Sequence, residues 1–238
     1  MNERFALVTG SSRGIGREIA IRLAEDVDAV AVHYKRKEKE AAEVVAEIRE
    51  KGKTAEAFPA DLTNESEARD LVGRVEKKFG RLDVLVNNVG PIVVKPWAEL
   101  TTADWELMFR SILLGAFWTM TSALPGMRER RFGRIINIGY HRVEQLTAFS
   151  GIAAYAAAKT ALLILTRSAA ASELKSGITV NMVSPGLIEG GMTPPGGKIP
   201  LELFGSKRDV AEAVGFLSSD RASRINGTNL VVAGTWKM

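Results

Sequence analysis

A phenol and an ammonium four residues apart, Tyr155 and Lys159 in the run Tyr155-Ala156-Ala157-Ala158-Lys159, fall on one face of a helix. A tyrosine hydroxyl titrates near ~10 and is a poor acid at neutral pH, but a cation held beside it favours the phenolate and brings it toward useful range. The chemistry such a pair offers is proton transfer at the oxygen of a carbonyl or an alcohol. The same spacing also occurs in ordinary helices, with the tyrosine in a core and the lysine reaching to solvent. The pair therefore counts only if the rest of the chain builds a site around it.

Near the N-terminus lies Thr9-Gly10-Ser11-Ser12-Arg13-Gly14-Ile15-Gly16. Glycines here let the backbone turn tightly and bring a pyrophosphate close to a helix N-terminus, where free N–H groups and the helix dipole favour an anion. The spacing Gly-x-x-x-Gly-x-Gly is one residue longer at the front than the usual dinucleotide fingerprint. Its position decides its meaning: the apolar run Phe5 to Thr9 precedes it, and helical spacing at Ile15, Ile19, Leu23 and Ala24 follows.

The elements that must hold these groups alternate from end to end. Further strands are expected at Ala29 to His33, Thr54 to Pro59, Asp83 to Asn87, Arg134 to Ile138, Thr179 to Ser184 and Asn229 to Val232. Helices fall between them: one through Ile48 that stops at Gly52, one over Ser66 to Phe79 capped by Asn64 and closed by Gly80, and one over Thr101 to Arg130 with a break at Pro125-Gly126. Two more cover Ala153 to Lys175 and Asp209 to Leu217. This alternation specifies one α/β domain over residues 1–238, a doubly wound Rossmann fold with about seven parallel strands, helices on both faces and ligands at the carboxyl ends of the strands.

The chain resembles a short-chain dehydrogenase/reductase, within it the 3-oxoacyl-(acyl carrier protein) reductase-like branch. The likeness rests on the loop Thr9 to Gly16, Asp61-Leu62 after the third strand, Asn87-Asn88-Val89-Gly90 after the fourth, Tyr155 with Lys159, and Pro185-Gly186 after the sixth. It implies an oxidoreductase in which Tyr155 is the proton donor and Lys159 holds the ribose hydroxyls and lowers the tyrosine pKa. It places Gly10, Ser12, Arg13, Gly14, Ile15 and Gly16 on the cofactor phosphates, Asp61 and Leu62 with Asn88 and Gly90 around the adenosine, and Pro185, Gly186 and Ile188 near the nicotinamide. It also implies a homo-oligomer, tetramer or dimer, and the alanine-rich helix around Tyr155 suits close helix approach.

An acidic residue at the end of the second strand would accept from a ribose hydroxyl and repel a 2′-phosphate. Here the chain reads His33-Tyr34-Lys35-Arg36, so Tyr34, Lys35 and Arg36 with Arg13 favour NADP(H) over NAD(H) through charge-assisted hydrogen bonds. These cations would serve equally as solvated surface.

Two catalytic positions depart from the family pattern. Tyr140 stands where relatives carry a serine that donates to the substrate oxygen; counting back from Tyr155 would instead select Arg142, and Ser150 lies nearby. Ile112 stands where an asparagine holds a water linking the lysine to solvent, and its side chain has neither donor nor acceptor. Ser111, one residue away, points elsewhere round the helix. After Ile188, relatives often place a threonine on the nicotinamide amide or diphosphate; here Gly190-Gly191 precede Thr193, within a short lid over Met192 to Ile199. Tyr140 or His141 stands as the replacement donor. The alternative is a catalytically degenerate module that binds the dinucleotide and acts as a sensor or partner-binding protein.

The chain has 238 residues, 46% of them apolar, a formal charge of +4 and no cysteine. Disulfides and thiolate metal sites are therefore excluded, which fits the reducing cytoplasm. The charges are mixed in sign and no nucleic-acid motif accompanies them. No signal sequence is expected, nor any uninterrupted bilayer span. Arg128, Arg130, Arg131 and Arg134 either greet an acidic acyl carrier protein or complement a helix C-terminus.

Overall fold

The computed structural model describes residues 3–191 and 204–233. Seven parallel strands form one sheet: β1 Phe5–Val8, β2 Ala29–Tyr34, β3 Thr54–Pro59, β4 Val84–Asn87, β5 Gly133–Ile138, β6 Ile178–Pro185 and β7 Asn229–Val232. Their order is β3-β2-β1-β4-β5-β6-β7, so the chain reverses direction across the sheet between β1 and β4. Crossovers from β1 leave on opposite sides there, and their loops separate to open a crevice at the strand ends.

Side chains alternate across the sheet, which splits the core into two layers. Val8, Val30, Val32 and Ile136 pack with Ile19 of α1 (Gly14–Leu23), Val44 of α2 (Glu38–Glu50) and Val210 of α7 (Lys207–Ser218). Leu7, Leu85 and Ile135 face the other way, against Leu71 of α3 (Glu65–Phe79) and Trp118 of α5 (Gly115–Arg130). Beyond them, Met108 of α4 (Thr102–Met108) packs with Leu162 and Leu163 of α6 (Ala153–Ser172).

The expected break at Pro125-Gly126 does not occur, because α5 runs through Pro125. The irregularity lies earlier, in a π-helical turn over Phe109–Leu114 that joins α4 to α5. The resulting continuous helix, Thr102–Arg130, is long and apolar enough to cross a bilayer, contrary to expectation; 56% of its most apolar window is buried inside the domain, as a core helix requires.

Candidate active site

The glycine loop is a backbone turn braced largely by side chains from the neighbouring strand ends. Gly10 and Gly14 take φ of +63° and +62°, a region that penalises any Cβ. At Gly16 a Cβ would stand 2.5 Å from the Gly10 carbonyl oxygen and 2.5 Å from Asn88 Nδ2. Asn88 reaches across from the end of β4: its Nδ2 donates to the carbonyls of Thr9 (2.9 Å) and Gly10 (3.2 Å). The Thr9 hydroxyl in turn accepts from the N–H groups of Asn88 (2.9 Å) and Val89 (3.2 Å).

His33 completes this brace. Val8 pairs in register with Val32, so His33 stands beside the loop. The Gly10 N–H donates to His33 Nδ1 at 2.8 Å, and Nε2 lies 3.0 Å from the Ala60 carbonyl, which fixes the neutral Nε2–H tautomer. Ser11 donates its hydroxyl to Val8 O at 2.7 Å and accepts the His33 N–H at 3.0 Å. His33 is 2% exposed. Burial pulls it down to about 4; Arg74 works in the same direction, while the Ala60 hydrogen bond and Asp61 oppose it. The sequence pointed to His33 only as a missing carboxylate; strand register next to a glycine loop was the signal for its structural work.

A cleft of about 1120 Å³ opens over this loop, lined by Gly10, Ser12, Arg13, Gly14, Ile15, Gly16, Tyr34, Lys35, Arg36, Asp61, Leu62, Asn88, Gly90 and Ile188. At its floor, α1 begins without a capping side chain and without an acidic residue in its first turn. By contrast α3, α4 and α7 are capped by Asn64, Thr101 and Ser206. The first N–H groups of α1 are thus left for an anion, and these residues fit a dinucleotide pyrophosphate.

The cations at the cleft rim are not equivalent. Lys35 is spent on Asp61 at 2.6 Å, and the other Asp61 oxygen accepts from the backbone and hydroxyl of Thr63, at 3.0 and 2.8 Å. Lys37 pairs with Glu40 at 2.9 Å. Arg13 and Arg36 line the cleft without an ion pair among the described residues.

A second recess of about 630 Å³ continues from the first and shares Ile15, Asn88, Gly90, Ile188 and Gly191 with it. Tyr140, Tyr155, Lys159, Pro185 and Gly186 line it together. Tyr155 and Lys159 project from the first turns of α6, while Tyr140 follows β5 directly. Lys159 is 2% exposed, donates to the Ile138 carbonyl and places Nζ 5.8 Å from the Tyr155 ring centre. Gly90 leaves room for this ammonium, since a Cβ there would approach Nζ to 3.0 Å.

Burial pushes Tyr155 above its ordinary value, and the neighbouring phenol of Tyr140 adds to the rise. Burial also brings Lys159 down to about 7.

Behind the recess, Asn87 Nδ2 donates to Asn137 Oδ1 (2.9 Å), Asn137 Nδ2 donates to Thr166 (2.9 Å), and Thr119 donates to Asn87 Oδ1 (2.7 Å). This buried set locks β4, β5, α5 and α6 together.

The short chain dehydrogenase family matches residues 4–198. The chain is a short-chain dehydrogenase. It is 39% identical over 240 residues to the 3-oxoacyl-[acyl-carrier-protein] reductase FabG of Staphylococcus aureus, covering 97% of each chain. It is 32% identical to the uncharacterized oxidoreductase YxjF of Bacillus subtilis, covering 98% of each. Among solved structures, a blue fluorescent protein from a metagenomic library in complex with NADPH superposes with a TM-score of 0.91 at 35% identity, covering 100% of this chain and 99% of that one. A short-chain dehydrogenase from Burkholderia cenocepacia in complex with NADP gives 0.88 at 34% identity, over 98% and 96% of the two chains. This short-chain dehydrogenase is therefore an oxidoreductase of the FabG-like branch.

Several expected residues sit elsewhere than the family pattern suggests. Ile112 is 1% exposed in the apolar cluster of Met108, Ala116, Tyr140 and Met182. Ser111 spends its hydroxyl on the Leu107 carbonyl at 2.5 Å, so it does not replace the missing amide. Ser150 lines the recess but is exposed, and Arg142 stacks on Phe149 at 4.7 Å and donates to Gln145 at 2.6 Å. Thr193 and the lid from Met192 to Ile199 lie outside the described residues. The arginine cluster is divided: Arg128 forks onto Glu173 (2.8 and 2.5 Å) yet stays half exposed and Arg131 is exposed, whereas Arg130 donates to Leu82 O (2.8 Å) and Arg134 is 4% exposed.

Proposed function

We propose that this short-chain dehydrogenase is an atypical member that moves hydride between NADP(H) and a carbonyl or alcohol substrate. The observation that carries this reading is the continuity of the two cavities, which brings a pyrophosphate-sized anion site into line with Tyr155 and Lys159. A bound nicotinamide supplies or accepts the hydride. The loop from Gly10 to Gly16 holds the phosphates, and Asp61, Leu62, Asn88 and Gly90 border the adenosine. Pro185, Gly186 and Ile188 form the wall beside the nicotinamide. Lys159 holds the ribose hydroxyls, and Tyr155 delivers the proton to the substrate oxygen.

NADP(H) is preferred because Arg13 and Arg36 form no ion pair among the described residues while Lys35 neutralises Asp61, leaving two guanidiniums for a 2′-phosphate. The complexes of two relatives with NADPH and NADP support the same choice. The name of the Staphylococcus aureus relative makes acyl-carrier thioesters the first carbonyl class to assay. Arg130 and Arg134 turn inward, so Arg128 and Arg131 are the cations of this cluster left to meet a carrier protein. A homo-oligomer, working in the reducing cytoplasm, completes the reading.

The alternative, a dinucleotide-binding module without turnover, draws on the serine and asparagine positions filled by Tyr140 and Ile112. Cofactor fluorescence titrations, followed by loss of NADPH absorbance against a panel of ketones, quinones and thioesters, separate the two. The proposal expects tighter binding of NADPH than NADH and turnover with at least one carbonyl. Equal binding would defeat the cofactor assignment, and binding without turnover would favour the module.

A further inference from the structure

The recess beside Tyr155 carries basic side chains and no acidic ones. His141, Arg142 and Lys159 line it, and among the described residues no aspartate or glutamate joins them. Lys159 is committed to the Ile138 carbonyl beside Tyr155, which leaves Arg142 as the permanent charge outside the proton-transfer pair. Tyr140 contributes its ring to this wall rather than a donor, because its hydroxyl is buried without a hydrogen-bond partner among the described residues.

Arg142 is held in place by neutral partners. Its Cζ lies 4.7 Å from the centre of the Phe149 ring, and its Nε donates to Gln145 Oε1 at 2.6 Å. Glu144, the carboxylate closest to it along the chain, is spent instead on Arg167 and on Asn229, whose Nδ2 donates to it at 3.0 Å. A guanidinium stacked on a ring and bonded at Nε keeps its terminal nitrogens, whose fork matches the two oxygens of a carboxylate. From Arg142 an aromatic wall leads to the proton donor: Phe149 meets Tyr140 at 5.9 Å, and Tyr140 meets Tyr155 at 5.5 Å, between ring centres. Ile92, Val94 and Leu187 add apolar surface to the same recess. Stacking on Phe149 alone would be ordinary loop packing. A fixed cation without a counter-ion, in a recess without acids, attracts an anion.

We propose that the substrate of this site is an oxo acid, its carboxylate bound by Arg142 at one end of the aromatic wall while its carbonyl stands at Tyr155 at the other. This rests on the reading of Tyr155 as proton donor and narrows the carbonyl class that reading leaves open.

The test is a ladder of oxo acids with increasing spacing between carbonyl and carboxylate, each beside its methyl ester, assayed with NADPH on wild type, Arg142→Met and Arg142→Lys. Wild type should prefer at least one acid over its ester by about 10- to 100-fold in kcat/KM, the range of a hydrogen-bonded charge. The preference should lie in KM, since the carboxylate is remote from the reacting bond. Arg142→Met keeps a stem on Phe149 and should abolish the preference, whereas Arg142→Lys should retain part of it. Acid and ester are read on one preparation, so a reduced folded fraction cancels from the ratio. In parallel, the preferred acid should raise the melting temperature of the NADPH-saturated wild type and not that of Arg142→Met. Carbonyl turnover with no acid preference, or with one that persists in Arg142→Met, overturns the proposal and leaves Arg142 as packing for Phe149. An acid-dependent rise in melting temperature that Arg142→Met loses, without turnover of any carbonyl, upholds the carboxylate site and strikes instead at the reductase reading. Neither turnover nor a rise defeats both.

Discussion

Ile112 and Lys159 show how much a single side chain's surroundings change its meaning. From spacing alone, Ile112 reads as a lost water relay that an asparagine would restore. In the structure it lies against Met108, Ala116, Tyr140, Leu162 and Met182, where an amide finds no evident partner. Ile112→Asn is therefore expected to lose stability by about 2–4 kcal/mol, from lost apolar burial plus an unpaired polar group, measured by urea unfolding. An unchanged midpoint would mean that the amide does find a partner there. Lys159 was legible as a neighbour of Tyr155 because four-residue spacing on a helix is visible in the sequence. Its burial was not legible, since it comes from β5 and Gly90, distant along the chain. The unsatisfied hydroxyl of Tyr140 was hidden for the same reason.

Elements were the most legible level. Helical and strand periodicities found all seven strands, with ends displaced by a residue or two, because each strand is apolar and each helix is punctuated by a cap or a glycine. Asn64 caps α3 through the N–H groups of Ser66 and Glu67, and Gly80 closes it with φ of +84°. The π turn at Phe109–Leu114 left no such signal, whereas Pro125 looked like a breaker and was absorbed into α5. The most consequential element is the loop between β1 and α1, whose shape depends on neutral His33. In the unfolded chain this imidazole titrates near ~6.5; in the fold it is held down to about 4. Between those values the unfolded chain binds a proton that the folded one refuses. His33 thus contributes stability that is fully present above pH ~6.5 and is lost as the pH falls toward 4. Protonated Nδ1 would also face the Gly10 N–H donor to donor, so cofactor affinity should fall over the same interval. Melting temperatures and NADPH titrations of wild type and His33→Gln across that range check this: the histidine-dependent slope should vanish in the variant. A slope of equal size in His33→Gln would assign it to other groups.

For the whole molecule, strand order places the site where the crossovers diverge between β1 and β4, and the two cavities join there. That much follows from the alternation of elements. Assembly does not. Leu107, Phe117 and Ile164 remain 42%, 39% and 63% exposed on α4, α5 and α6, more apolar surface than a solvated helix face needs. Light scattering of the 25.8 kDa chain should give twice or four times that mass, and Ile164→Arg should shift it downward. A monomeric wild type would leave those side chains as ordinary surface.

The central claim is that Tyr155 is the acid of a dinucleotide-dependent reductase, and single-turnover NADPH oxidation by Tyr155→Phe tests it most directly. The variant should bind NADPH as wild type does and lose at least about 10²-fold in the rate of carbonyl reduction. Oxidation of NADPH at the wild-type rate in that variant would contradict the claim.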